Sequence, residues 1–282
     1  MSVKEVNTFL KTKKFHASKK MGQNFLTNPQ IMKRIVAAAN LNPKDIVLEI
    51  GPGVGAITGV LLTNKIKLIA IELDKRLAEL LSEKFQSYNN FVLHNVDALK
   101  VDWNDLLLKY TNQNNVKLVA NLPYCISSLL VLKIIKTPLV NEAVIMVQKE
   151  MAERICAKTG SRAYNMFTVL VQLFLKVEKL FDVDPSNFSP RPKVQSSVIR
   201  LTKLDNDSSH NLDHFKNIDS FLRLAFANKR KKLINNLVVK YNKEQIINVL
   251  EQLQFPPTIR AEQIEPNDLV KIMTTLEHDK SL

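Results

Sequence analysis

Cysteine is nearly absent: two in 282 residues, Cys125 and Cys156. They form neither a metal-ligand spacing nor a disulfide framework. No metal is expected, and a reducing, cytoplasmic setting is. No apolar run reaches the roughly 18 residues that a membrane-spanning helix needs. The first twenty residues, MSVKEVNTFLKTKKFHASKK, lack the apolar centre of a secretory signal. They also lack arginine, which speaks against a mitochondrial presequence. Acids are scarce, with 27 Asp and Glu against 40 Lys and Arg, a formal charge of +13. So basic a chain points to a polyanionic partner, because Lys and Arg displace condensed counterions from phosphates. What is present in quantity is apolar residue, at 45%. That is enough for one large core and a second, smaller domain.

From Thr27 the pattern alternates. TNPQIMKRIVAAAN reads as a helix with Asn28 as N-cap and Pro29 at its first position. DIVLEI, IKLIAIEL, FVLHNV, VKLVA and EAVIMVQ read as short apolar strands. Between them AITGVLLTN, DKRLAELLSEKFQ, WNDLLLKY and ISSLLVLKIIK read as helices. Alternation of this kind predicts a parallel sheet covered on both faces, an α/β Rossmann-like fold. After Gln148 the rhythm changes. KEMAERICAK is helical, GSRAYNM is a polar loop, and FTVLVQLFLKVEKLFDV is an apolar run that can hold strands. SVIRL is a further strand. DNDSSHNLD, residues 205 to 213, is the best linker candidate. Two domains are expected: 1–204, beginning with a basic arm over 1–20, and a small helical domain over 205–282.

LEIGPGVGAITGVLL sets Gly51, Gly53 and Gly55 directly after a strand and before a helix. Bare backbone allows a tight turn and close approach of a ligand. Glu72 ends the next strand, where a carboxylate can accept from both hydroxyls of a ribose. These two features suit a nicotinamide dinucleotide and S-adenosylmethionine equally, since Ala56 can stand for the third glycine of the dinucleotide fingerprint. Asp97, beyond the third strand, can accept from an adenine amine or cap the following helix. The fourth strand ends at Asn121. In a doubly wound sheet Gly51, Glu72, Asp97 and Asn121 all face one crevice.

The fourth strand runs into Asn121-Leu122-Pro123-Tyr124. This set suits methylation of an adenine amine, a poor nucleophile because its lone pair is delocalised into the ring. Two acceptors holding its two N–H groups favour a more tetrahedral nitrogen. The Asn121 side-chain oxygen is one. The Leu122 carbonyl is the other, turned toward the pocket because Pro123 keeps Leu122 out of the helical region. Tyr124 offers a flat face for the base. No general base is required, because the methylated ammonium is a strong acid.

NLPY, following EIGPGVGAIT, IELD and VDAL in that order, resembles the ribosomal RNA adenine N6-dimethyltransferases. KKMGQNFL upstream and VQKEMAERI, GSRAYN, FSPRPKVQSSVIRL and AFANKRKKLINNL downstream are similar to that family as well. The last motif and the helical C-terminal region resemble its KsgA-type branch. That resemblance implies dimethylation of two adjacent adenosines in a hairpin near the 3′ end of small-subunit rRNA, by a monomer using S-adenosylmethionine, on naked RNA or an assembling 30S subunit. It implies that Asn24 and Leu26 line the cofactor pocket together with Gly51, Gly53, Glu72 and Asp97. Asn121 would lie between cofactor and target amine, and Phe188 of FSPRP would pack on the other face of a flipped base, offsetting the cost of unstacking it. Two positions depart from the family pattern. Met21 stands where Phe is common, and Gln195 where Asp is usual.

Lys229, Arg230, Lys231 and Lys232 form a basic cluster fit for rRNA phosphates, and Lys11, Lys13, Lys14, Lys19 and Lys20 add a basic arm. On one continuous helix Leu222, Phe226, Leu233 and Leu237 would share a face that Lys229 interrupts. Either the helix breaks there or the lysine is needed there. Two other functions are similar in sequence: the Erm branch, which modifies large-subunit rRNA and confers antibiotic resistance, and a non-catalytic nucleic-acid-binding relative. The longer C-terminal region speaks against the first and the intact strand-end residues against the second.

Overall fold

The computed structural model describes residues 24–113, 115–204 and 212–278. The basic arm with Lys11, Lys13, Lys14, Lys19 and Lys20, the Met21 position, and residues 205–211 of the expected linker lie outside the described residues. Two compact units are present. One runs to Ala152 and resumes over Val177–Lys203; the other holds Glu153–Lys176 and the chain from Leu204 onward. The expected boundary near 204 coincides with one of these crossings. The expectation differs over Glu153–Lys176, which belongs with the second unit. Apolar periodicity identifies what is buried, not which core it enters.

The first unit is built on β1 (Phe25–Leu26), α1 (Pro29–Ala38), β2 (Ile46–Ile50), α2 (Ala56–Leu62), β3 (Lys67–Ile71), α3 (Lys75–Lys84), β4 (Phe91–His94), α4 (Trp103–Leu107), β5 (Val116–Asn121), α5 (Ser127–Ile135) and β6 (Val140–Gln148). After α6 (Lys149–Ile155) and α7 (Met166–Phe174) come β7 (Leu175–Val183), β8 (Phe188–Ser189) and β9 (Ser196–Lys203). Caps set the helix starts. Asn28 accepts from Gln30 N–H, Asp74 from Arg76 N–H, and Asp102 from Asn104 N–H. The strand and helix expectations up to Gln148 all appear. The run FTVLVQLFLKVEKLFDV does not hold strands alone. Its first part is α7, opened by Asn165 as N-cap in a capping box, and only Leu175–Val183 is extended.

The large sheet has the order β4-β3-β2-β5-β6-β9-β7. β2 to β6 are mutually parallel and β9 runs antiparallel to β6. Successive strands step outward from β2 to β4, and the chain then crosses back to add β5 on the other side of β2. The switch point lies between β2 and β5, where ligands settle in open α/β sheets. Separately, β1 pairs antiparallel with β8, setting Leu26 opposite Phe188.

The second unit is helical beyond residue 204, with α8 (Leu212–Ala225), α9 (Leu233–Leu237), α10 (Lys243–Gln252) and α11 (Pro266–His278). Leu212 and Asp213, placed in the linker by composition, open α8. Between α8 and α9 the helix breaks, so Lys229 interrupts no apolar stripe. Asn236 makes the break: its amide donates to the carbonyls of Ala225 at 2.6 Å and Asn228 at 3.3 Å, satisfying the end of α8.

Candidate active site

Backbone ladders carry on one residue past the strand ends and fix the walls of a cavity. Gly51 N–H donates to Ile71 O at 2.9 Å, Glu72 N–H to His94 O at 3.0 Å, and Leu122 N–H to Met146 O at 3.1 Å. The cavity is lined by Asn24, Leu26, Gly51, Gly53, Glu72, Asp97, Asn121, Leu122, Pro123 and Tyr124, together with Phe25 and Glu49. Every residue expected to hold the cofactor, and all four of the clamp, therefore share one wall system. Asp97 is reached from a loop three residues beyond β4, where its carboxylate also accepts from Leu99 N–H at 2.9 Å.

The glycines earn their places through geometry. Gly51, Gly53 and Gly55 have φ of 65°, 60° and 76°, a region costly for residues with a Cβ. A Cβ on Gly53 would stand 3.1 Å from the Phe25 ring, and one on Gly55 would stand 2.6 Å from the Phe85 ring and 2.9 Å from Leu81. Gly55→Ala is expected to lose about 2–4 kcal/mol of stability through strain and overpacking together, measured by denaturant unfolding without ligand.

Glu72 is 6% exposed. Its two oxygens accept from Gly53 N–H at 3.0 Å and Asp74 N–H at 2.9 Å. Burial raises its carboxyl above the usual range, and these N–H groups pull the other way. The Asn95 amide donates to the carbonyls of Glu72 at 2.8 Å and Leu73 at 3.2 Å, holding the loop behind the carboxylate.

At the clamp, Asn121 Nδ2 donates to Asn24 O at 3.2 Å. That bond orients the amide. Asn121 Oδ1 is buried with no partner among the described residues, an arrangement that costs about 1–3 kcal/mol unless something donates to it. The helical turn starts only at Tyr124, leaving Leu122 and Pro123 outside it. The Tyr124 hydroxyl lies 2.6 Å from Ser196 Oγ on β9, and burial raises its phenol above the usual value. Pro123 lies against Gly51, so a Cβ there would meet its ring at 3.7 Å. The ends of β2 and β5 thus touch.

Phe188 is placed otherwise than expected. It is 5% exposed, belongs to the core cluster with Phe25 and Leu26, and does not line the cavity. Pairing of β8 with β1 sets it opposite Leu26 in the core, so its burial supports the wall rather than offering a face to a base. Four residues escaped the sequence reading. Glu49 lines the cavity, and Ser196 tethers Tyr124. Lys133 donates to Leu99 O and Val101 O at 2.9 and 2.5 Å, pinning the loop after Asp97. Lys84 donates to Val54 O in the glycine turn at 3.0 Å. Only Glu49 left a signal, as an acid inside an otherwise apolar strand.

Gln195, where the family resemblance calls for Asp, accepts from Lys149 Nζ at 3.0 Å through its amide oxygen. The amide keeps the hydrogen bond that a carboxylate would make and drops its charge. In the second unit Lys229, Arg230, Lys231 and Lys232 are all exposed, and Lys229 Nζ donates to Arg162 O at 2.8 Å.

Residues 14–278 match the family model described as "Ribosomal RNA adenine dimethylase".

The chain belongs to the ribosomal RNA adenine dimethylase family.

It is 49% identical to the ribosomal RNA small subunit methyltransferase A of Ureaplasma parvum serovar 3 over 95% of this chain and 96% of that one. With the protein of the same name from Malacoplasma penetrans it shares 41%, over 94% of both. Among solved structures, a dimethyladenosine transferase from Plasmodium falciparum matches with TM-score 0.76 and 33% identity, covering 91% of this chain and 98% of that one. The 23S rRNA methyltransferase ErmE matches with TM-score 0.68 and 25% identity, covering 90% and 100%. As a ribosomal RNA adenine dimethylase the chain is an rRNA methyltransferase that draws on S-adenosyl-L-methionine. The cavity fits that cofactor. It combines Gly51 and Gly53 at positive φ, whose bare backbone lets a ligand come close, a buried carboxylate with lone pairs to spare, and a buried acceptor lacking a donor among the described residues.

Proposed function

We propose that the chain N6,N6-dimethylates two adjacent adenosines in the 3′-terminal hairpin of small-subunit rRNA, as a cytoplasmic monomer acting during ribosome assembly. The unpartnered Asn121 Oδ1 in the cavity wall carries the chemical part of this reading. S-adenosylmethionine supplies a methyl group made electrophilic by its sulfonium. The protein's share is positioning. Asn121 Oδ1 and the Leu122 carbonyl accept the two N–H groups of the target amine, and Tyr124, held at its hydroxyl by Ser196, presents its ring to the base. Glu72 takes the ribose hydroxyls, Asp97 the cofactor adenine, and Asn24, Leu26, Gly51 and Gly53 close around the rest. After one transfer the amine keeps a single N–H, so the second proceeds with one acceptor idle.

The small-subunit assignment is supported by relatives named for that subunit at 41–49% identity. Transfer from labelled S-adenosylmethionine to separately purified, unmethylated small and large subunits, with the modified site mapped, tests it. Label in the 3′-terminal hairpin of the small subunit is expected. Label on the large subunit would indicate an Erm-type enzyme, and no label on either a binding protein.

The second unit contributes RNA recognition in this reading. Charge reversal of Lys229, Arg230, Lys231 and Lys232 to Glu should weaken binding by at least about tenfold at moderate salt and flatten its dependence on salt. Filter binding across a salt series reads both. Unchanged affinity and slope would leave the cluster as plain solvated surface.

A further inference from the structure

Glu49 lines the cofactor cavity, yet the roles above do not use it. It sits in β2, 2% exposed, and one carboxyl oxygen accepts from the Thr58 hydroxyl on α2 at 2.7 Å. The charged groups that act on it are Glu72, from the end of β3, and Lys84, from α3. Glu72 opposes a second negative charge on the same wall. Lys84 donates to the Val54 carbonyl, and among the described residues no cation lies within ion-pair distance of Glu49. A buried carboxylate with no counter-ion is costly, and the group avoids that cost by staying neutral. Burial is the main cause that lifts Glu49 to about 8. Thr58 and, more weakly, the Lys84 charge work against it without restoring the usual value.

We propose that Glu49 is the proton-releasing counter-charge of the cofactor site: a neutral acid in the free protein that becomes a carboxylate when the cationic cofactor enters. This rests on the reading of the cavity as the S-adenosylmethionine site. S-adenosylmethionine brings a sulfonium and an ammonium against one carboxylate, a net positive charge, into a cavity of low polarity. The Glu49 O–H bond breaks, its electron pair stays on the carboxyl, and the proton leaves to water. The added negative charge favours the methyl donor over the demethylated product, which has lost the sulfonium charge. After transfer, Glu49 takes a proton back and the pocket holds the product less firmly.

The linkage has a definite sign. Binding that expels a proton tightens as pH rises toward the value of the free group and levels above it. Calorimetric titration of the full chain with S-adenosylmethionine, in buffers of different ionisation heat, is expected to show release approaching one proton near pH 7. Affinity should rise up to about tenfold per pH unit below pH 8. Glu49→Gln should release none and show a flat profile, and S-adenosylhomocysteine should release less than S-adenosylmethionine from the wild type. Binding without proton release, equal release with both ligands, or release retained in Glu49→Gln would each overturn the inference while leaving the cofactor site intact. A chain that binds no S-adenosylmethionine would overturn the cofactor site itself, and this inference with it. Should Glu49→Gln fail to fold, infrared difference spectra of the wild type decide. Loss of a protonated-carboxyl band with gain of carboxylate on ligand binding supports the inference, and an unchanged carboxyl band overturns it.

Discussion

Asn121→Ala should lower methyl transfer by a factor of about 10³ while leaving S-adenosylmethionine and rRNA binding within severalfold of wild type. The side chain has two ends with separate tasks. Nδ2 is spent on the Asn24 carbonyl, which fixes the plane of the amide. Oδ1 is buried and unpartnered, so the folded protein keeps an acceptor open at a cost. A preorganised dipole of that kind helps most when charge develops beside it, and removing one such group typically costs 10²–10³ in rate. Here charge develops on the amine nitrogen as it attacks, and its N–H groups become stronger donors. Because the unpartnered oxygen costs stability, Asn121→Ala should melt at or slightly above the wild-type temperature. Single-turnover transfer, ligand titration and thermal melting separate the effects. Normal turnover with lost RNA binding would remove Asn121 from the chemistry. A large drop in melting temperature would make it a structural residue.

Much of this site was legible from the chain alone, for a physical reason. Strand ends in a parallel sheet are ordered by sequence, so Gly51, Glu72, Asp97 and Asn121 could be assigned to one crevice from the alternation of short apolar runs and helices. Short-range chemistry was readable too: Asn28 caps α1, and glycines sit where φ is positive. Long-range packing was not. Phe188 reads the same whether it faces a pocket or a core, and only its pairing with Leu26 decides. The break between α8 and α9 depends on Asn236 reaching back to the carbonyls of Ala225 and Asn228, a contact with no periodic signature. Ser196 lies 72 residues beyond Tyr124, and nothing local announces their contact. The assignment of Glu153–Lys176 to the second unit has the same origin, since its apolar stretch, Met166–Phe174, would suit either core.

Glu72→Gln should weaken S-adenosylmethionine binding by about 10² or more and also destabilise the protein without ligand by about 1–3 kcal/mol. In the proposed reading the carboxylate has two tasks that share the same two oxygens. Each accepts a backbone N–H, from Gly53 on one side and Asp74 on the other. An ionised carboxylate oxygen has a further lone pair, so both can still accept from ribose hydroxyls. An amide cannot reproduce this. In either orientation its NH2 faces a backbone N–H, donor against donor, and one side of the glycine turn or of the α3 start is left unsatisfied. The turn is already held in a conformation that only glycine adopts easily, so losing the Gly53 bond loosens the part that must approach the cofactor. Calorimetric titration and denaturant unfolding of the same preparation check both halves. Unchanged affinity would refute the ribose assignment. Lost affinity with unchanged stability would show that the two N–H bonds contribute little and that the carboxylate serves the ligand alone. The contrast with Asn121→Ala is the sharper test, because that change should spare cofactor binding and abolish transfer. Glu72→Gln should abolish transfer by emptying the cofactor site, and raising S-adenosylmethionine should restore part of the rate.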